Sequence, residues 1–316
     1  MNEHEIIDRI RQLFPQRAAK IGIGDDAAVI GEQVITTDML LEDVDFTRAV
    51  PIECIARKSL AVNLSDLAAM GAIPAFGVMD LGLPPWALDK LDAFLTSLAA
   101  SARQYDFDLV GGDLSRSEKL IVAITATGWV SKRPLLRSGA RAGDRIYVSR
   151  PLGASSAGLQ LLQRGWLEPP RELPYAQREL AESMIRRHMD PEPEVALGIA
   201  LASIDAVTAC IDVSDGLSTD LHHLCDASGV GADIERERIP VFPDLASTGP
   251  LLGIDVRQAV IDGGEEFALL FTSTLRESEL STRTGRPVYA IGRIARAQGV
   301  RLDGAPLRAG GFDHFA

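Results

Sequence analysis

The sequence predicts an α+β fold in two domains, and three observations carry that prediction. Helix-like and strand-like segments mix along the chain without the strict strand–helix alternation of a doubly wound sheet. Residues 131–144 break the pattern, with Lys132, Arg133, Arg137 and Arg141 packed among Pro and Gly, and a domain boundary is expected there. At 316 residues and 46% apolar composition, the chain can bury a sizeable core in one large domain or two ordinary ones. The expected division is 1–137 for the N-terminal domain and 138–316 for the C-terminal one.

Taken in order, Ile6, Ile7, Ile10, Leu13 and Phe14 recur at helical spacing and give an opening helix before Pro15. Residues 27–30 and 34–37 read as short strands, each beside an acidic cluster. A long helix is expected over 53–70, with Ile55, Leu60, Leu64 and Leu67 on or near one face and Gly71 as its stop. A strand over 75–83 ends at Pro84-Pro85, a single amphipathic helix covers 86–105, and a strand from Asp108 runs into Gly111-Gly112-Asp113. Residues 120–130 form a long β pattern. The second half restarts with a strand at 145–149 and a helix from Gly153. Five prolines within 166–193 surround one helix, 176–188, as an excursion inside the second domain. A strand at 208–213, a helix at 217–228, and strands at 267–272, 288–294 and 300–302 complete the expected set.

A net charge of −12 argues against a nucleic-acid surface, which needs clustered Lys and Arg. It does not argue against ATP, because divalent metals invert the local charge. Cys54, Cys210 and Cys225 form no paired spacing and read as reduced thiols of a cytoplasmic protein. The first residues lack a basic and apolar leader, and no apolar run approaches the ~20 residues of a membrane helix. No zinc-like His/Cys spacing, Walker loop or protein-kinase set is present, and Gly22-Ile23-Gly24 is too short for a dinucleotide fingerprint.

The chemistry-bearing residues are aspartates set in Gly- and Ser/Thr-rich segments. They are Gly24-Asp25-Asp26, Thr36-Thr37-Asp38, Asn63-Leu64-Ser65-Asp66, Gly111-Gly112-Asp113 and Asp212-Val213-Ser214-Asp215-Gly216. Buried carboxylates need a cation or dense hydrogen bonding to stay ionised. Hard oxygen ligands gathered from several segments suit Mg²⁺, which most often travels with phosphate. The reading is a magnesium-dependent phosphoryl-transfer enzyme. Singly, most of these motifs are ambiguous: the first is equally a solvated turn, and Asp38 and Asp215 are equally helix caps. Asp66 is the sharper signal, since Asp has poor propensity inside an apolar helix and Asn63 lies on nearly the same face. Gly263-Gly264-Glu265-Glu266-Phe267 sets two acids at a strand entrance.

Together the segments resemble the thiamine-monophosphate kinase family. The helix segment from Leu60 to Ala72, with Asn63-Leu64-Ser65-Asp66 at its centre, is similar to that family's signature. So are Gly22 to Asp26, Thr36 to Asp38, Gly111 to Asp113, Leu136 to Ala140, Ile211 to Leu217 and the terminal Gly311-Phe312-Asp313-His314-Phe315. The family belongs to the aminoimidazole-ribonucleotide-synthetase-like superfamily of ATP users. The resemblance implies an N-terminal α/β domain that dimerises through its sheet and a C-terminal α+β domain. It implies that Asp26, Thr36, Thr37, Asp38, Asp66, Asp113, Asp212 and Asp215 bind several Mg²⁺ ions. Gly112, Asp113, Arg137 and Ser214 would contact ATP, and Asp45, Glu265 and Phe312 the acceptor, thiamine monophosphate. Asp45 stands where relatives often carry a substrate-contacting His, and Glu266 where Asp is common.

The implied activity makes thiamine diphosphate from ATP and thiamine monophosphate, the last step of its biosynthesis, in a cytoplasmic homodimer with no nucleic-acid or membrane partner. A phosphate monoester with a second pKa of ~6 is largely ionised at neutral pH, so no side-chain nucleophile is expected. The obstacle is charge: two unit charges 4 Å apart repel by ~4 kcal/mol at an effective dielectric of 20. Clustered metal ions would screen that repulsion. A selenophosphate-synthetase-like rival lacks its reactive Cys here, and a hydrogenase-maturation relative would end in Cys, whereas this chain ends in Ala316. A non-catalytic nucleotide-binding module would scarcely need so complete an acidic set.

Overall fold

A computed structural model describes residues 3–14 and 16–314; Pro15 and the Phe315 of the terminal motif lie outside them. The opening helix α1 spans Glu3–Leu13. Strands β1 (Ala28–Ile30) and β2 (Gln33–Leu41) form a hairpin, and α2 follows over Ile52–Ala69. Gly71, at φ +64, ends α2 in a left-handed turn and donates its N–H to the Ala68 carbonyl at 2.9 Å. β3 (Ala72–Leu83) comes next. The single helix expected at 86–105 is two, α3 (Pro85–Leu88) and α4 (Leu91–Gln104). The break falls at Asp89-Lys90, where Trp86 donates its indole N–H to buried Glu42 and lies within cation–π reach of Arg48 and Lys90. β4 (Asp108–Arg116) and β5 (Ile121–Val130) close the first sheet, in the order β1-β2-β5-β3-β4.

The second half supplies β6 (Arg145–Val148), α5 (Ala154–Leu162), α6 (Tyr175–Met189), α7 (Val195–Ala202), β7 (Val207–Asp212), α8 (Leu217–Ser228) and β8 (Gly231–Ile234). Then come α9 (Leu245–Thr248), α10 (Val256–Ile261), β9 (Leu269–Ser273), α11 (Glu277–Thr284), β10 (Tyr289–Ala295), β11 (Gly299–Leu302) and β12 (Ala305–Pro306). Their strands make a second sheet in the order β12-β11-β8-β10-β6-β9-β7, antiparallel except for the β8–β11 pair. Both sheets are mixed and carry helices unevenly, which is the α+β arrangement.

Helix α2 is the element the molecule is built around. It is buried on nearly every side, because its inner face packs on the first sheet while its outer face meets α7 and β7. One apolar core therefore runs from Val34 and Ile124 of the first sheet through Leu60 and Leu64 to Tyr147 and Phe271 of the second. A second core, including Ile146, Leu161, Met184 and Leu221, fills the far side of the second sheet. The first sheet's other face is bare: Met39, Ile73, Val78, Val110, Leu114 and Trp129 are all exposed, and β4 is exposed along its whole length.

Candidate functional site

Strand β2 and helix α2 bring the first acids together by their own periodicities. Alternation on β2 turns Thr36 toward α2 and Thr37 to the open face of the sheet. Thr36 Oγ1 donates to Asp66 Oδ2 at 2.5 Å, and the Asp38 N–H donates to Asn63 Oδ1 at 3.1 Å. One turn of helix and one strand are thus clamped by two side chains. Ser65, beside Asp66, reaches the other domain, where its hydroxyl donates to Asp212 Oδ2 at 2.5 Å at the end of β7. Asp26, from the turn before β1, completes the group. Asp26, Asp66 and Asp212 each bring a carboxylate oxygen within 4.8 Å of the others.

Arg137 closes this cluster from the connection between the sheets. Its Nε and one terminal nitrogen donate to Asp26 Oδ1 at 2.9 and 2.6 Å, and its backbone N–H donates to Asp25 Oδ1 at 3.1 Å. The guanidinium expected at ATP is therefore engaged by an acid 111 residues away in sequence. One cation does not balance so many acids. Burial, then Asp26, raises the Asp25 carboxyl to about 7. Burial and Asp26 likewise raise Asp212 to about 7, and burial with Asp45 raises Asp38 to about 6. Asp66 is pushed well above its ordinary value by burial and by Asp38, Asp212 and Asp26. Asp26 is also raised by burial, against the pull of Arg137. Its Oδ2 is buried and has no hydrogen-bond partner. A buried oxygen without a donor, among hard oxygen ligands of like charge, fits a divalent cation.

A second group lies on the loop after β7 and the first two turns of α8. Asp215, Asp220 and His223 offer ligand atoms within 4.8 Å of one another. Asp220 is buried, and its Oδ2 accepts the N–H groups of Asp215 and Gly216 at 3.2 and 3.0 Å, which fixes the turn that presents Ser214 and Asp215. The Ser214 carbonyl accepts the Glu265 N–H at 2.7 Å, and the Asp215 carbonyl accepts the Phe312 N–H at 3.1 Å. Glu265 and Phe312, from distant segments, thus anchor on consecutive carbonyls. Glu265 and Phe267 hold left-handed backbones, φ +58 and +48, unusual for such residues. Phe312 is 55% exposed, and its ring meets His314 edge-on. Asp45 turns its Oδ2 onto the Leu41 N–H at 2.7 Å and feels Glu265, Lys58 and His314 electrostatically.

Other expected residues sit elsewhere. Asp113, on edge strand β4, pairs in register with Asp80, whose Oδ1 accepts its N–H at 2.9 Å. Three strand spacings, ~14 Å, separate β4 from β2, so one chain does not bring Asp113 to the cluster. Thr37 donates to the Ile124 carbonyl on the open face. Gly112, at φ +150, is needed because a Cβ there would lie 1.8 Å from the Met79 carbonyl of β3. Glu266 is absorbed by structure: its Oε1 accepts the N–H groups of Gly153 and Ser155, capping α5. Lys58, His188 and Asp220 were not singled out by sequence. A lone Lys inside an apolar helix carries the same signal as Asp66.

Residues 24–130 match the N-terminal domain of AIR synthase related proteins, and residues 141–303 match their C-terminal domain. The chain is 37% identical to the thiamine-monophosphate kinase of Salmonella typhimurium, across 98% of this chain and 95% of that one. The chain belongs to the thiamine-monophosphate kinase family. Its activity is accordingly ATP-dependent phosphorylation of thiamine monophosphate. The Bacillus subtilis kinase of the same name is 35% identical, over 89% of this chain and 86% of its own. Among solved structures, AaThiL complexed with AMPPCP and TMP matches with a TM-score of 0.88 at 30% identity, covering 99% and 97% of the two chains. The hydrogenase maturation protein HypE of Escherichia coli matches at 0.67 and 21% identity over 98% and 96%, a likeness of fold alone. Among the described residues, no helix is long and apolar enough to cross a membrane.

Proposed function

We propose that this kinase transfers phosphate directly and in line, assisted by Mg²⁺ ions, in a cytoplasmic homodimer. The observation that carries the reading is the orphaned Asp26 Oδ2 inside the Asp26–Asp66–Asp212 cluster. Asp26, Thr36, Asp38, Asp66 and Asp212 would hold metal on one side and Asp215 on the other. Held there, Mg²⁺ would supply positive charge against the crowded phosphate oxygens. An oxygen of the acceptor's own phosphate forms the new bond to the terminal phosphorus of ATP, the bond to the bridging oxygen breaks, and ADP leaves. The nucleophile is already ionised, so no side chain has to take its proton. Arg137 and Ser214 are assigned to ATP, and Asp45, Glu265 and Phe312 to the thiamine end.

Three further assignments, Thr37, Gly112 and Asp113, make sense across a dimer. All lie on the bare side or edge of the first sheet, whose exposed apolar face supports pairing with a second copy. There Asp113 of the partner subunit would complete the metal set. The test is Asp66→Asn with calorimetric titration of Mg²⁺ and ATP. Turnover is expected to fall on the order of a hundredfold or more, with folding intact. Near-normal turnover at limiting Mg²⁺ would sink the cluster.

A further inference from the structure

Lys58 lies in the middle of α2 with only 4% of its side chain exposed. An ammonium that deep needs a partner. Its Nζ is 2.7 Å from Glu265 Oε1, across the boundary between the domains. The other oxygen, Oε2, is 3.2 Å from Nδ1 of buried His188, which also meets Ser155 Oγ at 3.2 Å. Burial, helped by Lys58, lowers His188 to about 4, so its ring is neutral at pH 7. An ionised carboxylate only accepts, which puts the ring proton on Nδ1. Burial alone would raise the Glu265 carboxyl, but Lys58 and then His188 hold it below its ordinary value. Both oxygens are thus gripped, and the backbone beneath them is pinned at φ +58 by the bond to Ser214. Yet 28% of this side chain remains exposed, and each oxygen keeps a further lone pair that a ligand can use.

The same helix side carries Ser65, seven residues on, or nearly two turns and ~10 Å along the axis. Ser65 grips Asp212 of the carboxylate cluster, as Lys58 grips Glu265. We propose that Lys58 is a positioning residue for the acceptor. It fixes Glu265 at one level of α2 while Ser65 and Asp66 fix the cluster nearly two turns further on, so α2 sets the span from the acceptor's cationic ring to its reacting phosphate. This rests on the reading of Glu265 as an acceptor contact.

The test compares Lys58→Met, Glu265→Gln and the double variant by kcat, by KM for each substrate and by thermal melting. Each single change is expected to raise the thiamine monophosphate KM roughly tenfold, with the ATP KM within about twofold, and the double variant to go no further. Lys58→Met should also lower the melting temperature by stranding a buried carboxylate. The double variant should regain that stability without regaining acceptor affinity. A purely structural ion pair would regain both, and this overturns the proposal, as does an additive rise in the double variant. If Glu265→Gln leaves the acceptor KM unchanged, the underlying reading of Glu265 fails. If only Lys58→Met does, the positioning role alone fails. Lys58→Gln, which keeps a donor without charge, serves if the Met variant does not fold, and an unchanged acceptor KM there is equally fatal.

Discussion

At the scale of single residues, the buried carboxylates of the cluster cost stability. Asp25, Asp38 and Asp212 have folded values of about 7, 6 and 7 against an ordinary 3.8. Between those limits the folded chain binds more protons than the unfolded one, so stability is lost as pH rises through the window. Mg²⁺ bound at the proposed site would select the ionised forms and oppose that loss. Melting in chelator should therefore occur at lower temperature at pH 8 than at pH 6, and saturating Mg²⁺ should shrink or reverse the gap. Equal melting in chelator at both values would contradict the buried, proton-holding cluster. Phe312 makes the complementary case. The residue is more than half exposed while its backbone is held by Asp215, so truncation should spare the fold. Phe312→Ala is expected to weaken thiamine monophosphate three- to thirty-fold, the ~0.5–2 kcal/mol of an aromatic–cation contact, and leave ATP binding nearly untouched. Calorimetry with both ligands beside a melt decides it; a lower melting temperature with normal acceptor affinity would make the ring mere packing.

At the scale of elements, close contacts seat the helices around the site. Gly198 of α7 lies so close to α2 that a Cβ would stand 2.0 Å from the Ala68 carbonyl. Gly198→Ala must push α2 and α7 apart, and a cost of about 1–3 kcal/mol is expected from overpacking. Because α2 carries Lys58, Ser65 and Asp66, activity should fall by more than stability accounts for, and a variant as active and stable as the parent would refute the crossing. Glu266, capping α5, is raised to about 7, chiefly by burial. Its burial thus costs stability increasingly as pH rises from its ordinary 4.5. Glu266→Gln keeps the acceptor oxygen, so its melting temperature relative to the parent should climb from pH 5 to pH 8. These elements also mark what the sequence discloses. Asp66 was legible as a misfit in an apolar helix, and β2 and α2 as periodicities. Helix α7 was not, because Val195 to Ala202 is an apolar run with no polar face to set its period. The partner of Arg137 was hidden for another reason: spacing in sequence says nothing about an acid 111 residues away.

At the scale of the whole molecule, the question is why one ligand expected by resemblance stands ~14 Å from the rest. Asp66 and Asp113 belong to one proposed metal set, yet β4 is the far edge of the sheet from β2. A two-fold pairing through the bare face would supply each site with Asp66 from its own chain and Asp113 from the other. This arrangement has a consequence that no single-chain site shares. Asp66→Asn and Asp113→Asn should each be inactive alone. In a dimer containing one of each, one site carries both lesions and the other carries neither. If subunits exchange freely at equal concentration, half the dimers are mixed, and about a quarter of the sites become intact. Mixing the two inactive proteins should therefore restore about a quarter of parental turnover, with dilution below the dimer's dissociation constant abolishing it. Leu114→Asp on the exposed edge should prevent the recovery by blocking association, read directly as a monomer by light scattering. If the mixture stays inactive although mixed dimers are demonstrated by tagged co-purification, Asp113 serves no site across the interface.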